Sequence, residues 1–382
     1  MTVPSSNLIA SQRHLFSIPR DVVYLNAATM TPQSQAMEQA GVEAVHFRAN
    51  PFALTEQDFF TAPEQLRGLF AEMVGADAND VALISSASYG MAIVEKNVML
   101  KSGQNILVLD EQFPSNIYPW RKMAEKCGGA VISVPAPADD DWTKAVLDKL
   151  DEGIGLVALP NGHWAHGAYL DLPRISKAVK SLGAVLVLDL TQSLGAYPFS
   201  VQEVDADFVI AAAYKWMFCP YGVAMIYANK RYHKGAPLEE NWLNRKGSEN
   251  FKGLVDYQDE YQPGARRYDM GERSFFMMSQ AVVALQQIMD WGVENIRDTL
   301  ADKNRKIAAL FEPLGFQPVA EGLRMPHLMG LRGAGDVPDR LINHLKANRV
   351  SLSYRGTSIR VAPHVYVDDE DLAKLADVLS HY

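Results

Sequence analysis

Two charged side chains stand where apolar runs end, and their chemistry is complementary. Asp189 closes the run AVLVLD (184–189), where a carboxylate is expensive to bury without a partner. Lys215 sits in DFVIAAAYKWMFCPYG, at the end of another apolar run, between Tyr214 and Trp216. An amine in a partly desolvated setting loses part of its preference for charge and becomes a nucleophile. Each residue also has a plainer reading, Asp189 as the cap of a following helix and Lys215 as a lysine snorkelling from a strand end. Gln192, three positions beyond Asp189, shares its side if a helical turn begins there.

Three further segments follow apolar runs. VALIS leads into Ser86-Ala87-Ser88-Tyr89-Gly90, whose small residues let backbone amides approach an oxyanion at a helix start. The same turn also reads as a serine cap. After NILVLD, Phe113 precedes Pro114, placed either to lie flat on a ring-shaped ligand or to pack locally. After GLVALP comes Asn161-Gly162-His163-Trp164, a polar and aromatic loop open to a functional or a packing role. A phosphate turn, a flat aromatic, a buried carboxylate and a lysine together match the needs of an aromatic aldehyde phosphate. The lysine forms the imine, the carboxylate keeps a ring nitrogen protonated, the aromatic covers the ring, and amides and hydroxyls hold the phosphate.

The elements that must position these residues show in the apolar pattern. Between residues 81 and 228 short apolar runs recur: VALIS (81–85), NILVLD (105–110), AVISV (130–134), GLVALP (155–160), AVLVLD (184–189), DFVIAA (207–212) and VAMIYA (223–228). They are continuous rather than alternating, as strands buried on both faces are. The stretches between them look helical. In 172–182, Pro173 sits near the start, Ile175, Ala178, Val179 and Leu182 share a face, and Gly183 ends the pattern. Strand and helix in alternation predict an α/β fold with a mainly parallel seven-stranded sheet. Ligands in such sheets bind beyond the carboxyl ends of the strands.

After about residue 280 the pattern changes to a helix over 279–291, a helix over 336–348, strands over 350–354 and 358–362, and a closing helix from 369. The expectation is a large α/β domain over 16–280 and a smaller C-terminal α+β domain over 281–382. Residues 1–15 form an N-terminal arm, free to join the smaller domain.

Composition narrows the partners. Of 382 residues 48% are apolar and 21% charged, with a formal charge of −9. That is ordinary globular usage, without the basic patch that nucleic acid or an anionic membrane requires. The two cysteines, Cys127 and Cys219, lie far apart, so no disulfide framework or metal site is expected. No apolar run approaches the roughly 20 residues of a membrane span, and the start lacks a signal-peptide pattern. The expectation is a cytoplasmic protein.

Taken in order, YLNAA (24–28), SASYG, FPS, Asp189-x-x-Gln192, Tyr214-Lys215-Trp216 and IRVAPHVY (359–366) resemble the class V aminotransferases. These are pyridoxal-phosphate (PLP) enzymes of fold type I, and they include kynureninases, cysteine desulfurases and isopenicillin-N-epimerase-like proteins. The resemblance covers nearly the whole chain. It implies that Lys215 is the imine-forming lysine and the proton shuttle at the substrate α-carbon. Asp189 would pair with the pyridinium nitrogen, Gln192 with the phenolic oxygen, and Phe113 would stack on the ring. Ala87 and Ser88 would hold the phosphate with the Tyr214 hydroxyl, and Asn161 would lie near cofactor or substrate. Asn26 and Arg360 would bind substrate, Arg360 through the bidentate grip on a carboxylate for which arginine is suited. A homodimer with shared active sites is implied as well. Relatives carry a Gly-Thr-x-Asn stretch near DMGERS (269–274), where this chain has Glu272 in place of the hydroxyl residue and Ser274 as a substitute.

Fold alone leaves the reaction open. The segment NRVSLSYRGTSIR (348–360) contains no cysteine, which disfavours a cysteine desulfurase. An aminotransferase acting on a small amino acid is expected. A kynureninase-type lyase or an epimerase is the alternative, and a non-catalytic PLP-binding sensor of amino acids a further one. A dehydrogenase would need Gly-x-Gly-x-x-Gly after a strand, which is absent.

Overall fold

The computed structural model describes residues 8–355 and 357–382. The chain begins with a short strand β1 (Val23–Tyr24) and helices α1 (Gln35–Arg48) and α2 (Thr61–Val74). Strands and helices then alternate: β2 (Val81–Ile84), α3 (Ala87–Asn97), β3 (Asn105–Leu109), α4 (Tyr118–Cys127), β4 (Val131–Val134), α5 (Trp142–Leu147) and β5 (Ile154–Leu159). The series continues through α6 (Leu172–Ser181), β6 (Val185–Asp189), α7 (Val201–Val204), β7 (Phe208–Ala212) and β8 (Ala224–Ala228).

These seven strands, β2 to β8, form one sheet in the order β2-β8-β7-β6-β5-β3-β4. The pairings among β3 to β7 are parallel. Strand β8 is the exception, antiparallel to both β2 and β7. It returns directly from β7 through the loop that carries Lys215, and a return without a crossover helix yields an antiparallel pair. Successive side chains of each strand point to opposite faces, and both faces are apolar here. Leu83, Leu107, Val157, Leu188 and Val209 enter one core; Ile84, Ile106, Ala158, Val187 and Ile210 enter the other. Each such buried Val, Leu or Ile contributes about 1.5–3 kcal/mol. Strand β4, at one edge of the sheet, departs from the expected double burial, with Ser133 exposed.

The C-terminal part follows with α8 (Phe275–Trp291), α9 (Val293–Phe311), β9 (Gln317–Pro318), β10 (Met329–Arg332), α10 (Asp339–Ala347), β11 (Val350–Ser351), β12 (Ser353–Arg355), β13 (Ser358–Val361) and α11 (Asp369–Ser380). Strands β12-β13-β10-β9 form an antiparallel sheet. The single strand expected over 350–354 is divided: β11 pairs in parallel with β1, and β12 pairs with β13.

Position 280, where the expected boundary lies, falls inside α8. The N-terminal stretch is bound to the C-terminal part of the chain well beyond residue 15. Ile9 N donates to Thr299 Oγ1, Arg13 pairs with Asp371 at 2.5 Å, β1 joins β11, and Ala27 N donates to the Ala362 carbonyl. Among the described residues no helix is long and apolar enough to cross a membrane.

Candidate active site

Loops at the carboxyl ends of β2, β3, β5, β6 and β7 enclose a cleft of about 200 Å³. Ala87, Ser88, Phe113, Asp189, Gln192, Tyr214 and Lys215 all line it. Strands β6 and β7 are neighbours, so the residues at their ends, Asp189 and Lys215, are delivered to the same place by sheet pairing. A larger groove of about 760 Å³ lies away from this chemistry, against α1, α2 and the start of α8.

Lys215 is 6% exposed. Its Nζ lies 5.6 Å from the Phe113 ring centroid and 5.5 Å from that of Tyr214. Burial pulls the amine down to about 8, with Asp189 pulling it up and Arg360 and Arg355 lowering it further. Burial holds Asp189 above the ordinary carboxylate range, opposed by hydrogen bonding from Thr191 and by the charge of Lys215. The Thr191 amide donates to Asp189 Oδ1 at 3.1 Å. The lysine backbone is anchored from the N-terminal segment, where Thr31 Oγ1 donates to the Lys215 carbonyl at 2.6 Å. Gly195 underlies the same loop. Its φ is +91°, and a Cβ there would stand 2.6 Å from the Trp216 carbonyl oxygen, so only glycine fits.

At the turn after β2 the serine-cap reading holds, and the same turn lines the cleft. Ser86 caps α3 by accepting from the Tyr89 amide at 3.1 Å. The first amides of the helix have no intrahelical acceptor, and Ala87 and Ser88 stand there in the cleft wall. Ser88 Oγ donates to Ser115 Oγ at 3.0 Å.

Gln192 is buried, with Nε2 donating to the Ala28 carbonyl and Oε1 accepting from the Trp216 indole, both at 3.0 Å. One amide N–H is left over. Phe113 is 38% exposed and meets Trp164 edge-on at 5.6 Å.

Asn161 is not brought into the cleft wall, which Pro160, Gly162 and Trp164 supply instead. Its amide turns inward and donates to the Leu170 carbonyl at 2.9 Å, while its backbone carbonyl accepts from the Leu170 amide. Those bonds make it a brace for the loop. His163 is likewise a packing residue. It stacks on His166 at 4.0 Å and on Trp142 at 5.3 Å, and burial pulls it down to about 4.

Arg360 is 1% exposed. Its Nη1 donates to the Trp164 carbonyl at 3.0 Å, and its Nη2 to Thr29 Oγ1 at 2.7 Å and Ser353 Oγ at 3.3 Å. Both hydroxyls in turn donate to Asn26 Oδ1, at 2.9 and 2.6 Å. Asn26 therefore orders the cradle in which the guanidinium rests. Every acceptor Arg360 reaches is neutral, and its Nε is buried without a partner. Burial, then the charge of Arg355, pulls it down to about 10.

Sequence reasoning passed over four residues that serve this site: Thr29, Thr31, Ser353 and Gln112. Gln112 lies in the cleft wall with a buried Nε2 that has no partner. Its place directly after a strand end, one residue before Phe113, was the available signal. The threonines and Ser353 carried none, since long-range contacts bring them in. Ser274 spends its hydroxyl capping α8, and Glu272 lines the 760 Å³ groove. Cys219 is buried, which pushes its thiol up, and Cys127 ends α4.

Comparison with known proteins agrees with this geometry. The family model "Aminotransferase class-V" matches residues 22–317. An uncharacterized aminotransferase, YcbU, of Bacillus subtilis is 24% identical over 319 residues, covering 83% of each chain. The kynureninase of Deinococcus radiodurans is 25% identical over 320 residues, covering 81% of this chain and 76% of its own. Among solved structures, the cystine C-S lyase C-DES in complex with cysteine persulfide superposes with a TM-score of 0.85 at 19% identity, covering 94% of this chain and 98% of the other. The apo cysteine desulfurase of Thermococcus onnurineus superposes at 0.84 with 17% identity, covering 98% and 99%. At such identity these structures share the fold: the expected fold type I holds.

Proposed function

We propose that this chain, which belongs to the class V aminotransferase family, is an aminotransferase acting on a small amino acid. Its cofactor is pyridoxal phosphate. The reading is carried by one observation: a buried amine and a buried carboxylate, delivered by adjacent strands, share a cleft with an uncovered aromatic ring. A buried carboxylate whose hydrogen bonds come from one nearby residue, Thr191, suits a ring N–H. The unpartnered Gln112 Nε2 and the spare N–H of Gln192 suit an oxygen-rich ligand.

When bound, the cofactor supplies an electron sink for the bonds at a substrate α-carbon. Lys215, brought near neutrality by burial, provides the amine that holds the aldehyde and the base that moves a proton at that carbon. Asp189 would hold the ring nitrogen's proton, and Gln192 would donate to the phenolic oxygen. The amides of Ala87 and Ser88 and the hydroxyl of Tyr214 would hold the phosphate, with Phe113 covering the ring. Arg360, set in the Asn26–Thr29–Ser353 cradle, would grip the substrate's α-carboxylate. Asn161 has no direct part.

Carbon–carbon cleavage of the kynureninase kind is the second reading, supported by the relatives that bear that name. Desulfuration is disfavoured despite the desulfurases that share the fold, because Cys219 is buried with a raised pKa and 348–360 has no cysteine. A homodimer in a cytoplasmic setting belongs to the same proposal. Exposed Val42, Val45 and Phe47 on α1 support the first, and two free cysteines the second.

The test begins with the protein loaded with PLP. Borohydride should fix the cofactor to Lys215, and incubation with single amino acids should convert it to pyridoxamine phosphate. Release of a cleaved side chain instead would mark the lyase. A Lys215→Ala protein with undiminished turnover would sink the reading.

A further inference from the structure

Arg360 is not the only cation beside the cleft without an acid. Strands β12 and β13 pair with Ser353 opposite Arg360 and Arg355 opposite Ser358. Cross-strand partners, and residues two apart along a strand, share a face. This hairpin therefore presents two guanidiniums and two hydroxyls on one side. Both guanidiniums engage Trp164, a residue of the cleft wall. Arg360 donates to its carbonyl, and the Arg355 Cζ lies 5.4 Å from its ring centroid. Trp164 meets Phe113, whose ring is 5.6 Å from Lys215 Nζ.

Among the described residues, the only acceptor Arg355 reaches is the carbonyl of Tyr354, next to it in the chain. Arg13, Arg67 and Arg332, by contrast, each hold a carboxylate. The charges beside the cleft are thus Lys215, Arg355 and Arg360 against Asp189, and a single α-carboxylate balances one arginine and leaves the other.

We propose that Arg355 is a second anion-binding arm of this site, selecting substrates that carry an acidic group beyond the α-carboxylate: dicarboxylic amino acids or the matching oxo diacids. The assignment rests on reading the cleft as an amino-acid site. Diagonal neighbours on such a hairpin lie roughly 7–8 Å apart, near enough for two guanidiniums to take the two ends of one short aliphatic diacid.

The PLP-loaded protein is titrated calorimetrically with succinate and glutarate, and with propionate and butyrate as their monoacid counterparts. The diacids should bind about tenfold more tightly, the scale of one charge-assisted contact at a half-buried site. Arg355→Gln should abolish that preference, leaving mono- and diacids bound alike, Arg355→Lys should retain most of it, and Arg360→Gln should weaken all four ligands. Equal affinity of the wild type for mono- and diacids overturns the proposal, as does an undiminished preference in Arg355→Gln. If neutral amino acids convert the cofactor while diacids gain nothing, the second arm fails and the aminotransferase reading stands. A protein that does not fix PLP on Lys215 brings down both.

Discussion

The Trp216 indole nitrogen donates to Gln192 Oε1 at 3.0 Å, and Gln192 Nε2 passes the chain on to the Ala28 carbonyl. His327 reaches the same residue from the C-terminal part, donating to the Gln192 carbonyl at 2.7 Å. Burial pulls that histidine down to about 4, so it is neutral at ordinary pH with one N–H to give. One buried network thus holds the lysine loop, the loop after β6 and the N-terminal segment in register. Losing one donor from such a network leaves its buried acceptor unpaired, at the full cost of that group's desolvation.

Trp216→Phe keeps an aromatic ring but removes the donor and part of the bulk, leaving Gln192 Oε1 buried and unpaired. A loss of about 1–3 kcal/mol in stability is expected, with weaker PLP binding because Gln192 is free to turn. Thermal unfolding and a spectral titration of the apo-protein read the two effects. Unchanged values in both would mean that Gln192 finds another donor.

Asp189→Asn preserves shape and removes a charge that raises the Lys215 pKa. The lysine should then titrate lower still, below about 8, in the pH profile of PLP capture. Turnover should fall roughly 10²–10³-fold, the scale seen when one preorganised electrostatic contact is lost. A lysine whose profile does not move would separate the two groups.

The lysine has a stability signature of its own. In the fold it is lowered from 10.5 to about 8, chiefly by burial. Between those values the unfolded chain holds a proton that the folded one has released, so stability of the apo-protein rises with pH across that window. Below about pH 8 the penalty of burying the ammonium is present in full. Lys215→Met should therefore stabilise the apo-protein most below about pH 8, and the gain should fade toward pH 10.5. Chemical denaturation at a series of pH values measures it.

Thr29→Val removes one hydroxyl from the Arg360 cradle without touching the cofactor side of the cleft. KM for the amino acid should rise about tenfold, near 1.4 kcal/mol, with PLP content unchanged. A fall in PLP content with no change in KM would move Thr29 to the other side of the site.

Which residues gather in the cleft was legible along the chain because strand ends announce themselves. A carboxylate or a lysine closing a continuous apolar run stands out locally, and parallel pairing then brings such ends together. Asp189 and Lys215 were found that way, and α6, with Pro173 and Gly183 at its ends, has nearly the expected bounds. Asn161 looked equally exposed to function, yet its side chain went to Leu170 nine residues on, and nothing in the sequence distinguishes a loop that faces the cleft from one that braces itself.

By itself the sequence determined the seven strands of the large sheet, the two-faced burial of all but its β4 edge, and which amine and carboxylate close apolar runs, since these follow from local periodicity and from what cannot be buried unpaired. Tertiary structure alone decided that Asn26 and Thr29 reach the Ser353–Arg360 hairpin from more than 320 positions away, and that Arg355 shares the hairpin's face with Arg360. Such contacts depend on pairing register between distant segments, a quantity no local pattern encodes.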